Sequence, residues 1–223
     1  MLSLALFSLL VASPVKATVP LRWVTDGAGL LSPRVVEVLD RRLEGYQQAT
    51  GHQVLVWVGK TSGGEPNELF AERAFREWKV GRAGLDDGVV LFVLADDRTL
   101  RIEVGYGLES TLTDALSSRI INERITPLLT SGDADGAISA GVDALITSIG
   151  GSPLAPVAVA PRLTPAQWVG VAAAATAFFL LLIIRPDLAL WVLMVFMRGR
   201  GRGRGGFSGG GGRSGGGGAS GRW

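Results

Sequence analysis

The sequence predicts an α/β domain, an αβα sandwich on a mixed sheet, with a C-terminal transmembrane helix after it. Three observations carry that prediction. The runs QVLVWV at 53–58 and GVVLFVLA at 88–95 are continuously apolar, as strands covered on both faces are. Around them, apolar residues recur at helical spacing, so helices are available to cover those faces. Further on, WVGVAAAATAFFLLLII carries no charge from Trp168 to Ile184. As a helix that run spans ~26 Å, just enough to cross a hydrocarbon core.

Taken in order, 23–29 (WVTDGAG) reads as a polar, glycine-rich lead-in loop. Ser32-Pro33 opens the first helix, serine as cap and proline in the first turn. Val36, Leu39, Leu43 and Tyr46 form its apolar face, and Gly51 stops it. After the strand at 53–58, Gly63-Gly64 breaks the chain. Residues 65–80 then return to helical spacing, with Leu69, Phe70, Ala74 and Trp78 expected inward. The strand at 88–95 follows, then a short turn at Asp96-Asp97. Leu100, Ile102 and Val104 next alternate with Arg101 and Glu103, which predicts a strand with one wet face. The short connection predicts an antiparallel hairpin. Thr111 or Thr113 caps a helix that kinks or ends near Pro127. Asp133 caps the last one, where Ile138, Val142, Leu145 and Ile149 share a face.

The ends suggest an address. Residues 2–11 are apolar, and Val15-Lys16-Ala17 makes a usable small-residue cleavage site, although the positive leading region is missing. Four prolines stiffen 152–165. Beyond Ile184, Arg185-Pro186-Asp187 interrupts a further apolar piece, Leu188 to Met197, too short for a second crossing by itself. It either extends the span past a proline kink or lies at the interface. Arg198, Arg200, Arg202 and Arg204 then place the C-terminus in the cytoplasm by the positive-inside rule. The expected plan is a signal peptide at 1–17, an extracytoplasmic domain at 18–151, a proline-rich linker at 152–165, a membrane segment at 166–197, and a Gly/Arg-rich cytoplasmic tail at 198–223. That makes a single-pass protein of the plasma (inner) membrane. The tail is too poor in apolar side chains to fold by itself.

Composition narrows the chemistry. From Thr18 to Arg162 there are 14 Lys/Arg against 19 Asp/Glu, so the domain is acidic and no nucleic-acid partner is expected. Arg-Gly repeats can bind RNA, but few aromatics interleave with them here. Without cysteine there are no disulfides, thiolate nucleophiles or Cys-ligated metals. With a single histidine, His52, which reads as an ordinary strand-edge residue, no nucleophilic triad is expected. Gly105-Tyr106-Gly107 reads as a tight strand-to-helix turn rather than a phosphate loop. Asp86 and Asp87 precede one strand, while Glu109 and Asp114 follow its hairpin partner, so these acids can meet at one sheet end. Asp26, from its glycine-rich loop, is a candidate to join them. Such oxygen ligands suit Ca²⁺ or another hard divalent cation. Turn formation and helix-start charge account for the same residues, and spacing alone favours that simpler account.

The stretches WVTDGAGLLS, ATGHQVLVWV, GLDDGVVLFVLADDRTLRIEVGYGLESTLTDA and GDADGAISAGVDAL, in that order, resemble the TPM domain family over about residues 20–150. The tail GGGGASGRW is similar to the Gly-rich tails of bacterial members. The resemblance implies a compact αβα domain outside the membrane, divalent metal in some members, and phosphatase activity in some plant members. Carried over by position, its acidic site comprises Asp26, Asp86, Asp87, Glu109 and Asp114. Where relatives carry Asp-Asn-Gly, this chain has Asp86-Asp87-Gly88, one more charge. Two functions follow as expectations. One is an accessory or binding module with a cation pocket, acting on a membrane protein as partner. The other is a metal-dependent phosphatase acting outside the membrane.

Overall fold

In the computed structural model, residues 16–150 and 206–223 are described. They build one five-stranded sheet in the order β1-β2-β3-β4-β5. The strands are β1 (Val24–Asp26), β2 (Gln53–Gly59), β3 (Gly88–Leu94), β4 (Thr99–Gly105) and β5 (Ser214–Arg222). The first three run parallel, and β4 and β5 are antiparallel to their neighbours, so the sheet is mixed. The hairpin expected between β3 and β4 is present, with Leu91 opposite Ile102.

The helices are α1 (Pro33–Thr50), α2 (Asn67–Trp78), α3 (Asp114–Ile120), α4 (Thr126–Thr130) and α5 (Ala134–Ser148). Helix α1 starts and stops where its sequence says. Ser32 accepts from Val35 N, and Gly51 closes it in the left-handed region at φ 83°. Thr113 and Asp133 cap α3 and α5 in the same way. Between α3 and α4, Ile121–Ile125 forms a π-helical turn just before Pro127. Proline has no N–H to continue the ladder there, which fits a wider turn at that point.

Alternation along the strands sorts the core into two layers. Trp57 of β2 and Phe92 of β3 share one face and meet Phe70 and Trp78 of α2, ring centroids 5.4–6.0 Å apart. These aromatics are core, not a ligand cage. On the other face, a Cβ added at Gly141 of α5 would press on Ile125 and meet Leu91 of β3. Helices thus cover both faces of the sheet. Within α2, Phe70, Ala71, Ala74, Phe75 and Trp78 are buried, but Leu69 is 55% exposed, contrary to expectation. The stripe i, i+4, i+5, i+8 sets the phase of the helix, and Leu69 falls off its edge.

Two strands were not expected. The lead-in loop contains β1, held because the buried Asp40 of α1 accepts from Trp23 N at 2.9 Å and Val24 N at 3.1 Å. More consequentially, the tail folds. Gly206–Trp223 belongs to the same compact unit as the domain, and its β5 pairs along all of β4. The tail was expected to be unstructured because it has almost no apolar side chains; main-chain hydrogen bonding needs none.

The expected signal run, proline linker and membrane segments, including 168–184 and 188–197, lie outside the described residues. Of the expected signal peptide only Lys16 and Ala17 are described. Ala17 is buried, and Lys16 pairs with Glu77 at 2.7 Å. No helix among the described residues is long and apolar enough to cross a membrane.

Candidate functional site

Four of the five acids proposed from sequence lie toward one end of the hairpin, and the fifth does not. Asp86 and Asp87 sit at the start of β3, next to the end of β4, as antiparallel pairing requires. Asp26 instead ends β1, opposite Val58, which is in turn opposite Val93. Because β1 is parallel to β2 and β3, its C-terminal end lies beside theirs. Five residues of strand separate Val93 from Gly88, which is ~17 Å. The expectation that Asp26 joins the cluster is wrong for that reason. Its carboxylate closes its own loop: Oδ1 accepts from the N–H groups of Ala28, Gly29 and Leu30, and Oδ2 from that of Leu31.

Asp87 is also committed. Its Oδ1 accepts from Arg82 N at 2.8 Å, and its Oδ2 takes the Arg82 guanidinium and lies 3.2 Å from Nδ1 of His52. Burial pushes the Asp87 carboxyl up, but the side-chain and backbone bonds from Arg82 outweigh it and leave the group below the usual range. The charge this chain adds at Asp-Asp-Gly is therefore met by Arg82. His52, read from sequence as a plain strand-edge residue, is a partner of that pair.

The remaining acids face the tail. Asp86 adopts φ 49°, its carbonyl accepts from Gly107 N at 3.0 Å, and its Oδ1 accepts from Arg213 N at 2.8 Å. Asp114 Oδ1 accepts from Gly218 N at 2.7 Å. Glu109 lies beside Gly217, where an added Cβ would sit 2.5 Å from its Oε1. Glu109 and Asp114 line an open cleft of about 610 Å³ with Tyr106 and Gly215, Gly216 and Gly217. The close approach of 105–107 to the carbonyls of Leu85 and Asp86 leaves no room for a Cβ at Gly105 or Gly107. Those glycines serve the turn, as their spacing suggested.

Sequence reasoning missed the polar centre of this region. Arg101 and Glu103, expected on a wet face of β4, are 4% and 0% exposed. Arg101 Nε donates to Glu103 Oε2 at 2.7 Å, its Nη2 to Gly216 O at 2.8 Å and its Nη1 to Ser220 Oγ at 3.1 Å. Ser214 Oγ donates to the other carboxylate oxygen of Glu103. Burial raises the Glu103 carboxyl, against the lowering effect of Ser214 and Arg101. A strand built from the far end of the chain keeps this pair dry. The signal that could have found it was the match between a polar β4 face and a Ser-spaced glycine tail.

The acids do not assemble a metal centre. Among the described residues, no three carboxylate or histidine side chains are placed to hold an ion together. The carboxylates of Asp26, Asp86, Asp87 and Asp114 are turned to N–H groups and to the Arg82 guanidinium instead, which does not fit a shared cation pocket.

The chain can be compared with known proteins on this footing. The N-terminal domain of a protein from P. gingivalis, solved by NMR in solution, is 36% identical with a TM-score of 0.53. The match covers 59% of this chain and 87% of that one. The BA42 protein of the psychrophilic Bizionia argentinensis is 17% identical, covering 56% and 85%, with a TM-score of 0.48. The N-terminal domain of cg2496 from Corynebacterium glutamicum is 19% identical, covering 58% and 78%, with a TM-score of 0.43. No functionally curated protein matches the sequence. The family model described as the TPM domain matches residues 24–148, more than half of the chain, and the chain belongs to the TPM domain family.

Proposed function

We propose that this chain is a membrane-anchored, extracytoplasmic accessory module that works by binding rather than by catalysis, in the service of a membrane protein. One observation supports it most. The carboxylates of Asp26, Asp86, Asp87 and Asp114 are spent on the protein's own main chain and on Arg82, while the polar groups of β4 are spent on a strand. That is the arrangement of a recognition edge.

Topology sharpens the proposal. We read residues 16–150 and 206–223, which share one sheet, as lying on one side of the bilayer, in place of the cytoplasmic tail expected from sequence. The apolar 168–184 then anchors the protein only if the chain returns to the same side before Gly206. The arginines after Met197 and the N-terminal apolar run then pull in opposite directions. We give weight to the latter, since the first apolar segment usually dominates orientation.

Two experiments test this. The chain has no cysteine, so Gln48→Cys and Ser208→Cys, both at exposed positions, give clean labelling sites. In intact cells both should react equally with an impermeant maleimide; protection of Ser208→Cys alone would restore the single crossing. The purified full chain should not hydrolyse phosphoesters above an Asp87→Ala chain with Ca²⁺, Mg²⁺ or Mn²⁺. Chelator-sensitive turnover that Asp87→Ala abolishes would establish the metal-dependent phosphatase instead.

A further inference from the structure

The glycine-rich tail is held by a site with the properties of a peptide receptor. Its path is long and specified. Phe207 N donates to Leu21 O, and its ring meets Trp23 edge-on at 5.5 Å. Next, Gly211 N donates to Lys79 O, Gly212 N to Gly81 O, and Gly210 O accepts from Ala83 N. The chain then enters the β4 edge at Ser214 and ends with Trp223 N donating to Arg98 O. Phe207 near the start and Trp223 at the end bracket the described tail, and polar contacts fill the middle.

Glycine is required along this path rather than merely tolerated. A Cβ at Gly209 would overlap the Trp78 carbonyl oxygen, one at Gly212 that of Val80, and one at Gly218 that of Ile102. At Gly215 it would overlap the Tyr106 hydroxyl, and at Gly221 the Ile121 side chain. A sequence that looks like low complexity is therefore a shape code. Its serines are placed as well: Ser214 reaches Glu103, and Ser220 reaches Arg101 and Glu68.

A second, independent observation concerns the acceptor. Strands β2 and β3 are apolar on both faces, whereas β4 alternates, with Arg101 and Glu103 between Leu100, Ile102 and Val104. Inward-pointing or alternating charge is how natural sheets make an edge safe to expose. Water would solvate Arg101 and Glu103 if β5 left, so the open state costs no orphaned charge. β5 contributes little apolar side chain to the core beyond Ala219, so its retention rests on a hydrogen-bonded ladder and a few side-chain bonds.

We propose that the β4 edge is a receptor for a detachable glycine-rich strand, filled in cis by Gly206–Trp223 and open to the same tail of a second copy. This is strand addition, with main-chain pairing for affinity and steric exclusion of side chains for specificity. It deepens the binding function above by naming the ligand, and peptide capture is independent of which side of the membrane the domain occupies. In sequence, 55 residues lie between Gly150 and Gly206.

The test uses the full chain carrying Gly218→Val, whose own tail cannot seat against Ile102. A fluorescent synthetic peptide of residues 206–223 should bind that chain saturably, at least tenfold tighter than it binds the unaltered chain. The same peptide carrying Gly218→Val should bind at least tenfold more weakly. No saturable binding by a folded Gly218→Val chain, or equal binding of the two peptides, would overturn the proposal. If that chain does not fold, amide exchange in the unaltered chain decides. β5 amides should exchange at least tenfold faster than those of β3, through separate detachment; equal rates would show a strand that leaves only on global unfolding.

Discussion

β3 and β4 are partners in one hairpin, each of seven buried residues, yet they are buried for different reasons. β3 is covered by helices on both faces and is apolar throughout, so its burial follows from its own sequence. β4 is apolar on one face only. Its other face carries a buried ion pair that the tail seals with Ser214, Gly216 and Ser220. Burial at β3 is a property of the domain, while burial at β4 is conferred by residues more than a hundred positions away. Losses at β3 should therefore unfold the protein, and losses at β4 should first release the tail.

The largest expected effect is at β3. Leu91→Ala removes a fully buried side chain beneath α5, and chemical denaturation should show a loss of about 2–5 kcal/mol. If instead only the tail loosens, the two strands do not differ as described. On β4, Arg101→Ala leaves Glu103 without its cation, a loss of about 3–5 kcal/mol if the tail stays in place. Because tail release returns Glu103 to water, we expect a smaller global loss, with β5 amides unprotected and β3 amides still protected. Ser214→Ala should do the same more weakly, about 0.5–1.5 kcal/mol, measured as faster tail proteolysis.

Acidity acts on Glu103 and Asp87 with opposite sign. The Glu103 carboxyl is raised by burial, so its contribution is complete below the unfolded glutamate value of about 4.3 and is lost as pH rises through the elevated value. Asp87 is depressed by Arg82, so its contribution is present above about 3.9 and is lost as pH falls through its lowered value. Tail protection measured against pH should weaken on the alkaline side of Glu103, and Glu103→Gln should flatten that trend. The Arg82–Asp87 contact should fail only in acid.

The fold was legible where local chemistry and burial agreed. Ser32-Pro33, Gly51 and Asp133 marked helix ends correctly, as did Thr113 of the two threonines offered, because capping is decided within a few residues. The continuous apolar runs marked β2 and β3 because both faces are covered by nearby helices. β1 was hidden because three residues carry no period, and the buried acid that fixes it, Asp40, lies on another element. Asp26 was misplaced because strand direction, which sequence spacing does not state, puts it at the opposite sheet end. The acids at 86, 87, 109 and 114 were rightly brought toward one end, but their partners come from Arg82 and the tail. The tail itself was read by composition, which measures the capacity to form a core and not the capacity to add a strand.

Everything said of β4 turns on the pairing of residues 214–222 with it in the native chain. Solution NMR of the full chain tests it most directly, through cross-strand nuclear Overhauser contacts. The register predicts contacts between Ala219 and Ile102, Gly218 and Glu103, and Gly217 and Val104, all lost in Gly218→Val while those between β3 and β2 persist. Random-coil shifts across 214–222 without those contacts, in a chain whose β2 and β3 are intact, would contradict it.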